Sequence, residues 1–193
     1  MKYSLYIFRF LAALATLSGV FVLTSCASDN TTCDVGVYLS PDLQDVYGYT
    51  PTLEADIVGL TKVEQKRLVS YDVDKYFAPP QQFRKSLGVV TVRFTDGDTI
   101  GKKLPEDSEA WARWEEKGAT HLAVIVNLPV VNEVKDNAND PRKLIIDMNG
   151  EELMNSSEHF IVIGGSGVIE VKKEPDDGKS VEVNSSGEVV GKK

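Results

Sequence analysis

Apolar and polar residues alternate along the chain in short blocks. DVGVYL (34–39) puts Val35, Val37 and Leu39 on one face of a strand. TLEADIVG (52–59) repeats the pattern, with Leu53, Ala55 and Ile57 inward and Glu54 and Asp56 outward. Between them SPDLQDVYGYTP (40–51) reads as a loop rich in turn residues and tyrosine. After residue 60 the period lengthens. Thr61 and Glu64 make a T-x-x-E capping box, and TKVEQKRLV fits two turns of helix. SYDVDKYF is a second short helical or irregular piece, ended by Pro79 and Pro80.

Downstream the strand period returns. GVVTVRFTDGD (88–98) carries Val90, Val92 and Phe94 on one side and closes on an Asp-Gly turn. PEDSEAWARWEEKG (105–118) is the clearest helix: Pro105, Asp107 and Ser108 serve its start and Gly118 its end. Trp111 and Trp114 lie three apart, on one face that is expected to pack on a sheet. HLAVIVNL (121–128) is apolar on both faces and should be covered on both. PVVNEVKDNANDPR (129–142) is a long polar loop, KLIIDMNG (143–150) a strand ending in a tight turn, and FIVIGGSGVIEVKK (160–173) a hairpin around its glycines. About seven strands with one or two inserted helices, and few crossover helices, predict a mainly β protein: an antiparallel β-sandwich. The domain is expected to span 34–174. The tail 175–193, short of bulk and rich in charge, is expected to be disordered or loosely attached.

The first 26 residues obey a different rule. Lys2 and Arg9 form a basic start, Phe10 to Leu23 is free of charge, and the run is shorter than the roughly 20 apolar residues of a spanning helix. LTSC (23–26) resembles the bacterial lipobox, with Leu23 at minus three, small Thr24 and Ser25, and Cys26. That resemblance implies a signal peptide at 1–25, cleavage between Ser25 and Cys26, a diacylglyceryl group on the Cys26 thiol, and a flexible tether at 26–33. The acyl chains would hold the mature protein on a membrane. Ala27 in place of an aspartate implies the outer membrane, facing the periplasm, if the host is Gram-negative.

Removing the signal takes Lys2 and Arg9 with it, so the net charge of −8 becomes −10 over 168 residues. Such a balance speaks against nucleic acid and against electrostatic attraction to anionic lipid. Cys33 is left without an internal partner, and its expected place is near the start of the first strand. His121 and His159 each begin a strand. No metal-ligand spacing, P-loop, dinucleotide fingerprint or nucleophile elbow is present, so no metal, no cofactor and no catalytic residue is expected.

The order LEADIVG, helical insert, ATHLAVIVNLP, KLIIDMNG resembles the outer-membrane lipoprotein of type VI secretion systems, a small sandwich that docks a larger inner-membrane secretion subunit. The resemblance covers about half the chain and contains no residue-specific motif. It implies that the loop between early strands meets the partner, which here offers Tyr47 and Tyr49. The rival class is a ligand-binding envelope lipoprotein, taking sugar on the Trp111/Trp114 face or calcium at DGD (96–98) or DNAND (136–140).

Overall fold

The strand β5 (His121–Val126) is buried along both of its faces, and the molecule is layered around it. Leu122, Val124 and Val126 belong to one core, Ala123 and Ile125 to a second. The computed structural model describes residues 32–95, 98, 101–129, 136–149, 157–176, 180–184 and 186–192. Cys26 and the expected signal peptide at 1–25, with Ser25, lie outside these residues, as do Asp96 and Gly97 of the expected turn.

Two sheets face each other across the first core. One is β3 (Val90–Phe94), β2 (Leu53–Leu60), β5 and β6 (Lys143–Asp147), in that order and antiparallel throughout. The other runs β10 (Val189–Lys192), β9 (Ser180–Val183), β4 (Gly101–Leu104), β1 (Asp34–Leu39), β7 (Glu158–Gly164) and β8 (Gly167–Val171). Two of its pairings, β1 with β7 and β4 with β9, are parallel. The architecture is thus the expected mainly antiparallel sandwich, with ten strands among the described residues where about seven were expected. The additional ones are β4, which is too lysine-rich to read as a strand, and β9 and β10. These last lie in the 175–193 segment expected to be loose. There β9 pairs with β4, and Val183 is buried in the core.

Helix α1 (Asp42–Tyr47) follows β1. The insert after β2 is three helices, α2 (Lys62–Ser70), α3 (Val73–Phe77) and α4 (Gln82–Ser86), laid over the outer face of the four-stranded sheet. Leu68, Val73, Tyr76, Phe77 and Phe83 meet Val58 and Leu60 of β2 there, forming the second core. Helix α2 starts as its sequence dictates: the Thr61 hydroxyl accepts from the Glu64 amide at 3.3 Å, and the Glu64 carboxylate accepts from the Thr61 amide at 2.8 Å. Thr61→Ala is expected to cost about 1 kcal/mol, measured as a lower urea midpoint at unchanged m-value.

Helix α5 (Glu109–Glu116) connects the two sheets and turns its tryptophans into the first core. The rings meet edge to face at 5.1 Å. Each indole N–H is satisfied, Trp111 by the Pro105 carbonyl at 3.0 Å and Trp114 by the Gly88 carbonyl at 2.9 Å. A Cβ on Gly59 would lie 2.7 Å from that of Trp114, so only glycine lets the helix approach β2 this closely.

The outward-pointing Asp56 of β2 corrects the simple alternation. It faces away from the sandwich yet is 0% exposed, because the helical layer lies over it. Arg84 of α4 grips it with Nε at 2.6 Å and Nη2 at 2.8 Å, Tyr76 donates to it at 2.9 Å, and Thr91 donates at 2.7 Å. Arg84 Nη2 also donates to Glu54 at 3.0 Å, which extends the network to Arg93 at the surface. Burial opposes the charge on Arg84, but its bonds to Asp56 outweigh that and hold its pKa above the ordinary value. Burial likewise raises Glu54, while its bonds to Arg93 and Arg84 bring the carboxyl below its usual range.

Candidate partner-binding site

The segment 40–51, expected to be a loop, forms α1. Pro41 precedes the helix, and Gly48 ends it in the left-handed region at φ 76°. Leu43 reaches into the first core and fixes the helix to the sandwich. The Ser40 amide donates to the Ile163 carbonyl at 2.8 Å, and the Asp42 carboxylate accepts from the Gly165 amide at 3.3 Å. Both contacts tie α1 to the β7–β8 hairpin. Val46 packs directly on that hairpin: a Cβ at Gly165 would lie 2.4 Å from its Cγ2.

The two tyrosines diverge. Tyr47 is half-buried, and its hydroxyl donates to the Pro129 carbonyl at 2.8 Å, so this side chain braces α1 against the end of β5. Burial pushes its hydroxyl pKa up, keeping the proton on the donor. Tyr49 is 59% exposed and Val46 45% exposed. A rigid short helix therefore presents one aromatic and one aliphatic group to solvent. Sequence reasoning passed over Val46 and Leu43. The signal that would have found them is Pro41 before, and Gly48 after, a Leu-x-x-Val-Tyr spacing.

Other candidate groups are drawn into structural roles. Trp111 and Trp114 are buried in the core, so the face proposed for stacking a sugar is not at the surface. In DNAND, Asp136 caps its own turn through the Ala138 amide at 2.9 Å, and the Asp140 carboxylate is held by Arg142 at 3.0 and 2.8 Å. Asp98 accepts from the Thr95 amide at 2.7 Å and pairs with Lys102. The described carboxylates of these loops, Asp98, Asp136 and Asp140, are thus engaged in local bonds, and among the described residues no group of three or more His, Cys, Asp or Glu could hold a metal ion. His121 Nδ1 lies 2.8 Å from the Thr120 hydroxyl, and buried His159 lies 2.6 Å from Glu170. Burial first, then Asp34, Glu170 and Glu106, pushes the Cys33 thiol up to about 12, which keeps it a neutral, inert core side chain at ordinary pH. An open cleft of about 450 Å³ at the start of α5 is lined by Asp107, Glu109 and Glu182 but by neither histidine.

No family model matches the chain, and no curated protein matches it. Several solved structures are similar to it, three of them as follows. Serratia marcescens Lip, described as a membrane-bound component of the type VI secretion system, is 16% identical over 74% of this chain and 99% of its own, with a TM-score of 0.46. The type VI lipoprotein TssJ1 of Pseudomonas aeruginosa is 17% identical over 75% and 99%, with a TM-score of 0.43. A chain of a type VI membrane complex is 11% identical over 72% and 97%, with a TM-score of 0.47. Likeness at this level transfers no residue role to this chain.

Proposed function

We propose that the protein is a lipid-anchored envelope protein that works by binding another protein, as the outer-membrane lipoprotein of a type VI secretion membrane complex, with α1 as its contact. Cys26 would carry the lipid, and a larger inner-membrane subunit would be the partner. The observation that carries the contact is the pairing of exposed Val46 and Tyr49 with the buried Leu43 anchor. Such a rigid apolar presentation loses little entropy on docking, and tyrosine is a frequent interface hot spot. The LTSC signal supports the anchor, and the order of strands and helical insert supports the class. The burial of both indoles speaks against the sugar reading, and the described acids Asp98, Asp136 and Asp140 are engaged within the chain.

The test is gentle purification of the acylated full-length protein from Gram-negative membranes after crosslinking. A single large inner-membrane subunit should co-purify with the unaltered chain. Tyr49→Ala should reduce its recovery at least tenfold, about the effect of losing one hot spot, while the melting temperature changes little because Tyr49 is 59% exposed. Recovery unchanged in Tyr49→Ala would remove α1 as the contact. An unacylated chain would remove the anchor.

A further inference from the structure

The net charge speaks against anionic lipid for the molecule as a whole, but the charge is segregated and the helical layer is its basic part. Residues 61–86 contain six cations, Lys62, Lys66, Arg67, Lys75, Arg84 and Lys85, against Glu64, Asp72 and Asp74, a net of +3. The remainder of the mature chain therefore holds −13. Arg84 is spent on Asp56, but Lys62, Lys66, Lys75 and Lys85 are exposed and, among the described residues, none of them is in an ion pair with a carboxylate. Arg67 lies over the Phe83 ring at 4.1 Å, which fixes its guanidinium at the same surface. In the midst of these cations stands Val63, 78% exposed, one helical turn from Lys66 and Arg67. A hydrophobe ringed by lysines and arginine on a surface helix is the arrangement that suits a membrane interface, where the apolar group enters the headgroups and the cations meet lipid phosphate.

We propose that the exposed face of this helical layer lies on an anionic lipid bilayer, as a second membrane contact beside the lipid on Cys26. The proposal rests on the anchoring reading above. The geometry allows it. Cys33, expected to belong to the tether, is buried in the core, so the free leader is the seven residues 26–32, which reach at most about 23–25 Å when extended. From β1 across to the outer surface of the helices is two layer spacings of about 10 Å and half a helix, roughly 25 Å. The reach of the leader at full extension thus just matches the distance to the plane on which the helices would rest. With the acyl anchor holding the domain at the membrane, even a weak second contact would form at high effective concentration. An acidic protein partner would also suit the cations, but it would not explain a bare Val63 on a domain held this close to lipid.

The test separates this contact from the acyl anchor and from α1. The full mature chain carrying Cys26→Ser, and so without lipid, is sedimented with vesicles of 30% phosphatidylglycerol in phosphatidylcholine, and with pure phosphatidylcholine vesicles, at low and physiological salt. Binding is expected on the anionic vesicles only, weakening with salt. The triple variant Lys62→Gln, Val63→Ser, Lys66→Gln should bind at least tenfold more weakly, since each cation near an anionic surface is worth roughly fivefold. All three side chains are exposed, so its circular dichroism and melting temperature should match the parent. Lys172→Gln with Lys173→Gln, beyond β8 of the other sheet, and Tyr49→Ala should bind as the parent does. No binding to anionic vesicles, or equal loss in the Lys172/Lys173 control, overturns the proposal. So does binding to polyglutamate in place of vesicles, which would assign the face to an acidic protein. Because the probe chain carries no lipid, a failure here leaves the Cys26 reading untouched, and a failure of acylation leaves this result standing.

Discussion

Arg84→Met should unfold the protein under conditions where the parent is stable, lowering stability by about 3–5 kcal/mol. Methionine keeps much of the apolar bulk but leaves Asp56 at 0% exposure with its charge unpaired. Tyr76 and Thr91 would still donate to it at 2.9 and 2.7 Å, and neither carries a positive charge. The second variant in the series is Asp56→Leu combined with Arg84→Met, which removes both charges. It should recover most of the loss, because a buried ion pair replaced by apolar groups is often neutral or better. Chemical denaturation of the four corners of this cycle decides the matter. A single Arg84→Met that costs less than about 1 kcal/mol would mean that water reaches Asp56 and that the helical layer is not seated as described.

Trp114→Ala should be comparably damaging, at about 3–5 kcal/mol. The side chain is 1% exposed and packs on Gly59, on Trp111 and in the core between the sheets. Its removal opens a cavity and leaves the Gly88 carbonyl without its 2.9 Å donor. In a domain of this size each kcal/mol moves the melting temperature by roughly 2–4 °C, so a fall of about 10 °C is expected by calorimetry. Trp114→Phe keeps much of the volume and should fall between the two. Tryptophan emission in the parent should be blue-shifted, since both indoles are out of water, and should move to the red only on unfolding.

The parts of the fold that were legible in the sequence are those decided locally. β1 was readable at its true limits because alternate positions 35, 37 and 39 share a face, and α2 because Thr61 and Glu64 announce its start. The double-sided apolarity of HLAVIVNL gave the burial of β5, and the Trp111/Trp114 spacing gave the inward face of α5. What escaped is decided at a distance. α1 is a six-residue helix, too short to show a period, and it is held by Leu43 in the core and by the β7–β8 hairpin 120 residues away. β4 reads as GKKL. It is a strand because the Lys103 ammonium meets Asp34 and Glu158, and because Lys102 lies over the Phe94 ring. Nothing near Asp56 in sequence signals that it is buried, since its cation is 28 residues on, in a helix that was not expected. Of the candidate site, Tyr49 was found by residue type alone. Its distinction from Tyr47 rests on the Pro129 carbonyl, which no spacing encodes.

The double burial of β5 bears on how the molecule comes apart. A strand whose alternate residues belong to two different cores loses apolar cover whichever neighbouring layer opens, so opening either layer carries a cost at β5. The helical layer cannot peel away without baring Ala123 and Ile125, and the sandwich cannot open without releasing Leu122, Val124 and Val126. The three layers are thus coupled through this strand. The amides of β5 are therefore expected to be among the slowest in the domain to exchange, which native-state hydrogen exchange would measure.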